Sequence, residues 1–372
     1  MTPDSKISDN PWPPTSLAWS AVIILSVAQF FNAIDRYLIN LLVEPIKADL
    51  GASDTEMGLL LGFAFAIFYT FMGLPIGRFA DRASRKLIIT AGVIFWSVMT
   101  IACGFAQSFK QLFVARMAVG AGEATLNPCS YSMISDYFPS EARAIPMGVF
   151  IMGATLGSAV VMYLGGYFIE YLTVNDIRWL MPWGQELKPW QIAFVCAGLP
   201  GVVVALVVQL LREPVRRELM VEDVASSGEV SLGQVFHFAL GRKRVYLPMF
   251  LGFGLVLMWS MGKSLWAPTF FMRTFEWSPS EAGGVMALLM LGGNSLGVVS
   301  GGWFSQLLAD RGYADAHLRT AFYGMVCGLP FAILAPWIAD PIWSPILFAP
   351  AFFFGAFPFA LAPAAISAIT PN

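Results

Sequence analysis

Asp35 and Arg36 stand side by side in an apolar run that extends from about Leu17 to Val43. The run is long enough to cross a bilayer as a helix. A charge near the bilayer centre costs about 2.5–3.5 kcal/mol on insertion scales, so such residues face protein or water and mark working sites. Neighbours on a helix point about 100° apart, so this acid and base cannot neutralise one another locally. Each needs a partner from another part of the chain. Arg36 suits an anion, since its planar guanidinium stays charged and matches carboxylate or phosphate. Asp35 suits a proton: burial favours the neutral carboxyl and a nearby cation favours the charged one, so a change of surroundings loads or releases it. Glu123, deep in the fourth apolar run, is a second candidate proton carrier and the nearest candidate partner for Arg36, with a purely structural ion pair as the alternative. Asn32, in the same stretch, is with Arg36, Glu123 and Lys263 a candidate substrate-binding residue.

Composition defines the elements that position these groups. Apolar residues make up 57% of the 372 and charged residues 12%, about half the usual charged share, and the mean hydropathy is +0.67. This is an all-α, polytopic membrane protein. A net charge of −2 gives no reason to expect nucleic acid as a partner. Cys103, Cys129, Cys196 and Cys327 lie in apolar runs without a C-x-x-C pair, and His237 and His317 lie in polar connections, so neither a metal nor a cofactor is expected. No nucleophile–base arrangement suggests an enzyme.

The apolar runs fall near 17–43, 57–80, 87–106, 110–136, 145–169, 191–211, 246–271, 282–308, 318–338 and 342–370, ten candidate membrane helices. Residues 1–16 are expected to form a disordered tail. Alternate connections carry Arg78, Arg82, Arg85, Lys86, Arg143, Arg212, Arg216, Arg217, Arg242, Lys243, Arg244, Arg311 and Arg319, against Lys47, Lys110, Arg178, Lys188 and Arg273 on the other side. The basic side, and the N-terminus with it, is therefore expected to be cytoplasmic. Residues 17–211 would form a six-helix bundle, 212–245 a cytoplasmic linker and 246–372 a second bundle of four helices. Within the linker Val224–Gly228 is a breaker, and Ser231 is placed to cap a short helix lying on the membrane surface; a solvated connector is the alternative.

An internal repeat supports two halves. Ser53–Glu56 and Ser278–Glu281 are both S-x-x-E capping boxes at helix starts. The same offset sets Gly77 opposite Gly302 and Asp81 opposite Gln306. Two parallel six-helix repeats joined by a cytoplasmic linker resemble the plan of the major facilitator fold. Against that plan of twelve helices, the run ending at Asn372 would leave two missing.

The turn Gly77–Lys86, GRFADRASRK, resembles the major facilitator signature G-x-x-x-D-R-x-G-R-R/K, with Ser84 at the second Gly. The resemblance implies a cytoplasmic latch formed by Gly77, Asp81, Arg82 and Arg85, with Gly77 allowing close helix contact. Arg116–Gly120–Gly122 on the fourth helix resembles the family's R-x-x-x-G-x-G; Arg116 either snorkels outward or faces the site. Gly153, Gly157, Gly165 and Gly166, like Gly292, Gly293, Gly297, Gly301 and Gly302, suit tight helix packing. Lys263 is the one strong charge inside the second half, and either reaches the outer interface or anchors an anionic substrate group.

N-x-x-D-R over Asn32–Arg36, Gly122-Glu123-Ala124 and Ser135–Pro139, SDYFP, resemble the Spinster branch of this superfamily. The branch implies a secondary active transporter working by alternating access, coupled to protons, that moves lysolipid-like amphipathic anions. The anion:cation symporters, which take up sugar acids, share the Asp-Arg on helix one and the Glu on helix four. A degenerate, non-transporting receptor is the remote alternative. The expected partners are an anionic or amphipathic small molecule, protons and membrane lipids; a monomer in the cell membrane, the inner one in a bacterium, is expected.

Overall fold

The computed structural model describes residues 12–139, 142–216, 240–313, 315–359 and 361. The expected surface helix of the linker and most of the N-terminal tail lie outside the described residues. Among the described residues, eight helices are long and apolar enough to cross a membrane. The chain divides into two compact units, Met1–Glu229 and Val230–Asn372.

The first unit opens with α1, Thr15–Leu41, whose last turn tightens to a 3-10 form at Ile39–Leu41. A short helix α2, Val43–Leu50, stops at Gly51, which takes φ +65; only glycine adopts that left-handed stop without strain. α3 spans Asp54–Ala80 and starts with the Ser53/Glu56 capping box. There Ser53 N–H donates to Glu56 Oε2 at 2.8 Å, and Glu56 N–H donates to Ser53 Oγ at 3.2 Å. α4, Arg85–Gly104, follows the basic turn.

The fourth apolar run is two helices, α5 Phe109–Glu123 and α6 Leu126–Tyr137, with a turn at Ala124–Thr125 between them. Pro128 explains the interruption: it has no N–H for the Ala124 carbonyl, which an unbroken helix would require. The longest helix of this unit, α7 (Ala144–Val174), leads through an antiparallel hairpin, β1 Trp179–Leu180 and β2 Glu186–Leu187, into α8, Pro189–Val208. α7 lies directly on α1, and glycine makes this possible. A Cβ placed on Gly157 would sit 2.2 Å from the Phe30 carbonyl oxygen. The core between the helices holds the fully buried Trp96, Trp190, Phe150, Phe194 and Leu25.

The second unit contains α9 Lys243–Phe275, α10 Pro279–Asp310, α11 Ala316–Trp337 and α12 Trp343–Gly355. The Ser278/Glu281 capping box forms as its counterpart at Ser53 does. Each of the two capped helices, α3 and α10, then passes through a single π-helical segment, Leu59–Phe63 and Leu289–Asn294. The repeat seen in the capping boxes thus continues into the helices they start.

Candidate functional site

α1 carries both central charges and sends them to different surroundings. Arg36 Nη2 lies 2.8 Å and Nε 3.2 Å from Glu123 Oε2 at the end of α5, and Nη2 also reaches Asn32 Oδ1 at 3.4 Å. The Glu123 side chain is shut off from solvent, whereas that of Arg36 is 32% exposed. The pair therefore has one closed and one open partner. Below the guanidinium lie the stacked rings of Phe65 and Tyr69 on α3, at 4.6 and 5.2 Å from their centroids. Tyr69 is in turn held by Asn127 Nδ2, which donates to its hydroxyl at 2.8 Å. Gly120 sets this arrangement, because a Cβ there would lie 2.5 Å from the Phe65 carbonyl oxygen and push α3 off α5. Phe65, Tyr69 and Asn127 escaped the sequence reading. The signal available was two aromatics four apart on one helix face, a pattern that ordinary cores also show.

Asp35 is 2% exposed and turns toward Trp96 and Thr100 of α4 and the Arg116 guanidinium of α5. Arg116 does not snorkel. It is 1% exposed, and its Nη1 donates to the Asp35 main-chain carbonyl at 3.1 Å. That carbonyl is accessible because the Ile39 N–H turns instead to Tyr37 where α1 tightens.

Of the signature residues in the Gly77–Lys86 turn, Arg85 is drawn into its own bundle. Arg85, expected as part of the latch, is 1% exposed. Its Nε donates to Glu213 Oε1 at 2.8 Å, its Nη1 to Ser132 Oγ at 2.9 Å and to the Asp136 carboxylate, and its Nη2 to the Pro214 carbonyl at 3.0 Å. Glu213 also accepts from Ser84 Oγ at 2.8 Å and from the Lys86 amide at 3.0 Å. Burial pushes the Glu213 carboxyl up, but Arg85, the Lys86 amide and Ser84 outweigh it and hold the group below its ordinary range. Arg216 closes the turn by donating to the main-chain carbonyls of Ala80, Asp81 and Ala83. The Asp81 and Arg82 side chains are exposed. Gly77 makes no close helix contact within this bundle: a Cβ there meets nothing within 4 Å. Asp136 sits in the SDYFP stretch and Glu213 just beyond the sixth apolar run, so both were visible as residues, though their shared partner was not.

In the second unit Lys263 turns inward to α12. Its Nζ lies 3.7 Å from the centroid of Phe352 and 5.0 Å from that of Trp259, and donates to the Ala351 carbonyl at 3.0 Å. The residue expected either to reach the outer interface or to anchor an anionic group thus lies against α12.

Long apolar helices, paired capping boxes and a charged pair buried between α1 and α5 define a polytopic helical membrane protein with a built polar site. The model of the Major Facilitator Superfamily matches residues 25–372, and the chain belongs to that superfamily. It is 30% identical over 297 residues to an MFS-type efflux pump of Mycolicibacterium smegmatis, covering 79% of this chain and 64% of the pump. It is 26% identical over 373 residues to a probable L-galactonate transporter of Escherichia coli K12, covering 95% and 78% of the two chains. The solved structure of a bacterial homologue of the human lysosomal transporter Spinster, inward-facing and occupied, superposes with a TM-score of 0.74 at 28% identity, covering 96% of this chain and 76% of that one. The Spinster resemblance read from the first-half motifs is borne out by this likeness. The chain spans less than two thirds of the length of the mycobacterial pump.

Proposed function

We propose that the protein is a proton-coupled secondary transporter for an amphipathic organic anion, with Arg36 as the residue that receives the anionic head. The single observation that carries this reading is the asymmetric pair: Glu123 is sealed, while Arg36 keeps an open side. An incoming carboxylate or phosphate can compete for the guanidinium from that side. The Phe65 and Tyr69 rings hold the cation in place during the exchange. Glu123 then loses its counter-charge in a desolvated place, and such a carboxylate binds a proton more readily. Linkage requires that substrate binding and proton uptake favour each other equally. Asp35 is the second proton carrier of the scheme. Asp81 and Arg82 keep their proposed role at the cytoplasmic gate, with Arg85 as the buried residue that shapes their turn. Lys263 is assigned to packing α12 on α9 rather than to the substrate. The N-terminus and the basic connections are proposed to face the cytoplasm, in the inner membrane of a bacterium.

The likeness to a Spinster homologue favours a lysolipid-like substrate. The galactonate relative, aligned over nearly the whole chain, favours a second reading, a proton symporter for sugar acids. Arg36 would serve either anion. Proteoliposomes holding the full chain and a pH-sensitive dye separate the two. Lysophosphatidylglycerol exchange, scored by extraction with albumin, should proceed and should move protons under an imposed pH gradient. Proton movement driven by galactonate alone would establish the second reading. A chain that exchanges neither anion and moves no protons is not a transporter of this kind.

A further inference from the structure

The connection between α7 and α8 is a clamped hairpin whose tip is apolar and uncovered within its unit. The Gly184 amide donates to the Met181 carbonyl at 2.9 Å and closes the tip; Gly184 takes φ +88, which only glycine adopts without strain. Two contacts fix the hairpin to the bundle. Asp49, near the end of α2, accepts from Trp190 Nε1 at 2.8 Å and pairs with Lys188. Gln185 Nε2 donates to the Phe105 carbonyl at 3.4 Å, while its Oε1 accepts from Trp183 Nε1 at 3.3 Å. Leu187 is buried, yet Leu180 is 75% and Trp183 65% exposed. The indole N–H is satisfied inside the hairpin, so what the tip presents is ring and methyl groups.

What covers this tip follows from the helices it continues. Leu87, Ile94 and Val98 form an exposed stripe along α4, and Phe105, about five turns after Leu87, falls on the same face. α8 packs antiparallel to α4 through Gly104 and Gly198, and its Leu199, Val203 and Leu206 are exposed in the same way. The bilayer is the apolar medium for stripes of this length on spanning helices. The Trp183 ring lies against Phe105, with centroids 5.8 Å apart, so the tip extends this face past the helix end. The 20 residues of α4 span about 30 Å, the thickness of the hydrocarbon core, which puts Phe105 at its boundary. Indole rings collect at that depth. Charge gives no reason for another kind of contact: Asp176 and Glu186 lie 2.9 and 3.7 Å from Arg178, and Lys188 is paired with Asp49. We propose that the tip, Leu180 and Trp183, is seated in the lipid headgroup region of the leaflet at the end of the first unit away from the Gly77–Lys86 turn. Its partner is the lipid surface, held by ring and methyl burial rather than by charge. Asp49 and Gln185 pass that seat to α2 and α4, so it sets the depth of this end of the unit in the bilayer, whichever anion is carried. A group at headgroup depth stays within reach of water-borne reagents on its own side.

Brominated phosphatidylcholines quench the indoles they touch, and the full chain in nanodiscs made from them tests the seat. The chain has 12 tryptophans, so subtracting the spectrum of Trp183→Phe from that of the native chain isolates this ring. Its emission should be quenched more by bromines near the headgroup end of the acyl chain than by bromines near the chain terminus. The quenching should be equal in zwitterionic and phosphatidylglycerol-containing discs, at low and at high salt, because the seat is not ionic. Leu180→Trp in the otherwise native chain should show the same depth dependence, and it carries the test alone if Trp183→Phe does not fold. Absence of bromine quenching at either position overturns the proposal. Iodide in the aqueous phase then tells where the tip lies: quenching by iodide leaves it in water, and none places it under another part of the protein or a second copy. Quenching confined to anionic discs and abolished by salt also overturns the proposal, assigning the contact to Arg178 and Lys188.

Discussion

At the scale of single residues, the strongest constraint is that Glu123 has no solvent to fall back on while Arg36 does. Removing one member of a buried pair leaves an uncompensated charge and costs about 3–5 kcal/mol. Arg36→Ala should therefore both lose anion binding and lower the melting temperature of the purified protein. Arg36→Lys should recover the fold but only part of the binding, since a point charge cannot reproduce contacts from both Nε and Nη2. Glu123→Gln keeps the shape and deletes the charge. Exchange of bound anion should survive it, while the pH dependence of binding is lost and gradient-driven accumulation stops. A Glu123→Gln protein that still accumulates substrate under a pH gradient would reduce Glu123 to a structural partner of Arg36.

At the scale of elements, helix contacts decide where the site groups sit. Gly120→Ala places a methyl 2.5 Å from the Phe65 carbonyl, which is backbone and cannot swing aside. The expected result is a loss of about 1–3 kcal/mol, read as a lower melting temperature, together with weaker anion binding as Phe65 and Tyr69 leave Arg36. Gly77→Ala is the matched control, because its methyl meets nothing inside its bundle; the melting temperature should hold. The end of the bundle that carries the Gly77–Lys86 turn makes a separate prediction. Glu213 is held below the usual carboxylate range, so its stabilising effect is complete above its unfolded value, about 4.3, and disappears as pH falls through the lower folded value. Glu213→Gln should cost about 1–2 kcal/mol at neutral pH, the lower part of the range for bonds to charged groups because Glu213 is partly exposed. Melting curves across pH check this: the deficit should vanish in acid, and a deficit independent of pH would assign the loss to packing.

For the whole molecule, the distribution of basic residues and the path of α4 make one topological statement. Arg82 precedes α4, and Trp183 of the hairpin packs on Phe105 just past its other end, with ring centroids 5.8 Å apart. The 20 residues of α4 separate these points by about 30 Å, the thickness of a bilayer core. With the four native cysteines replaced by serine, Arg82→Cys should react with an impermeant thiol reagent only from the cytoplasmic side and Trp183→Cys only from the outside. Labelling in the opposite sense would invert the proposed orientation. Much of this level was open to the sequence alone. Hydropathy is a sum over consecutive residues, and capping boxes such as Ser53–Glu56 and Ser278–Glu281 are closed within four residues, so spans, helix starts and the two-fold repeat need no knowledge of distant contacts. The motif at Asn32–Arg36 likewise required partners from elsewhere, because adjacent side chains on a helix diverge. Which partners they found was decided only by tertiary structure. Glu123 lies 87 positions from Arg36, and Thr100 and Trp96 reach Asp35 from a different helix. Arg85, Glu213 and Asp136 meet only after α4, α6 and the segment following α8 converge. Lys263 meets Phe352 and the Ala351 carbonyl only because α12 approaches α9. A side chain's direction follows from local backbone geometry, but what waits in that direction depends on helix packing, which no stretch of sequence encodes by itself.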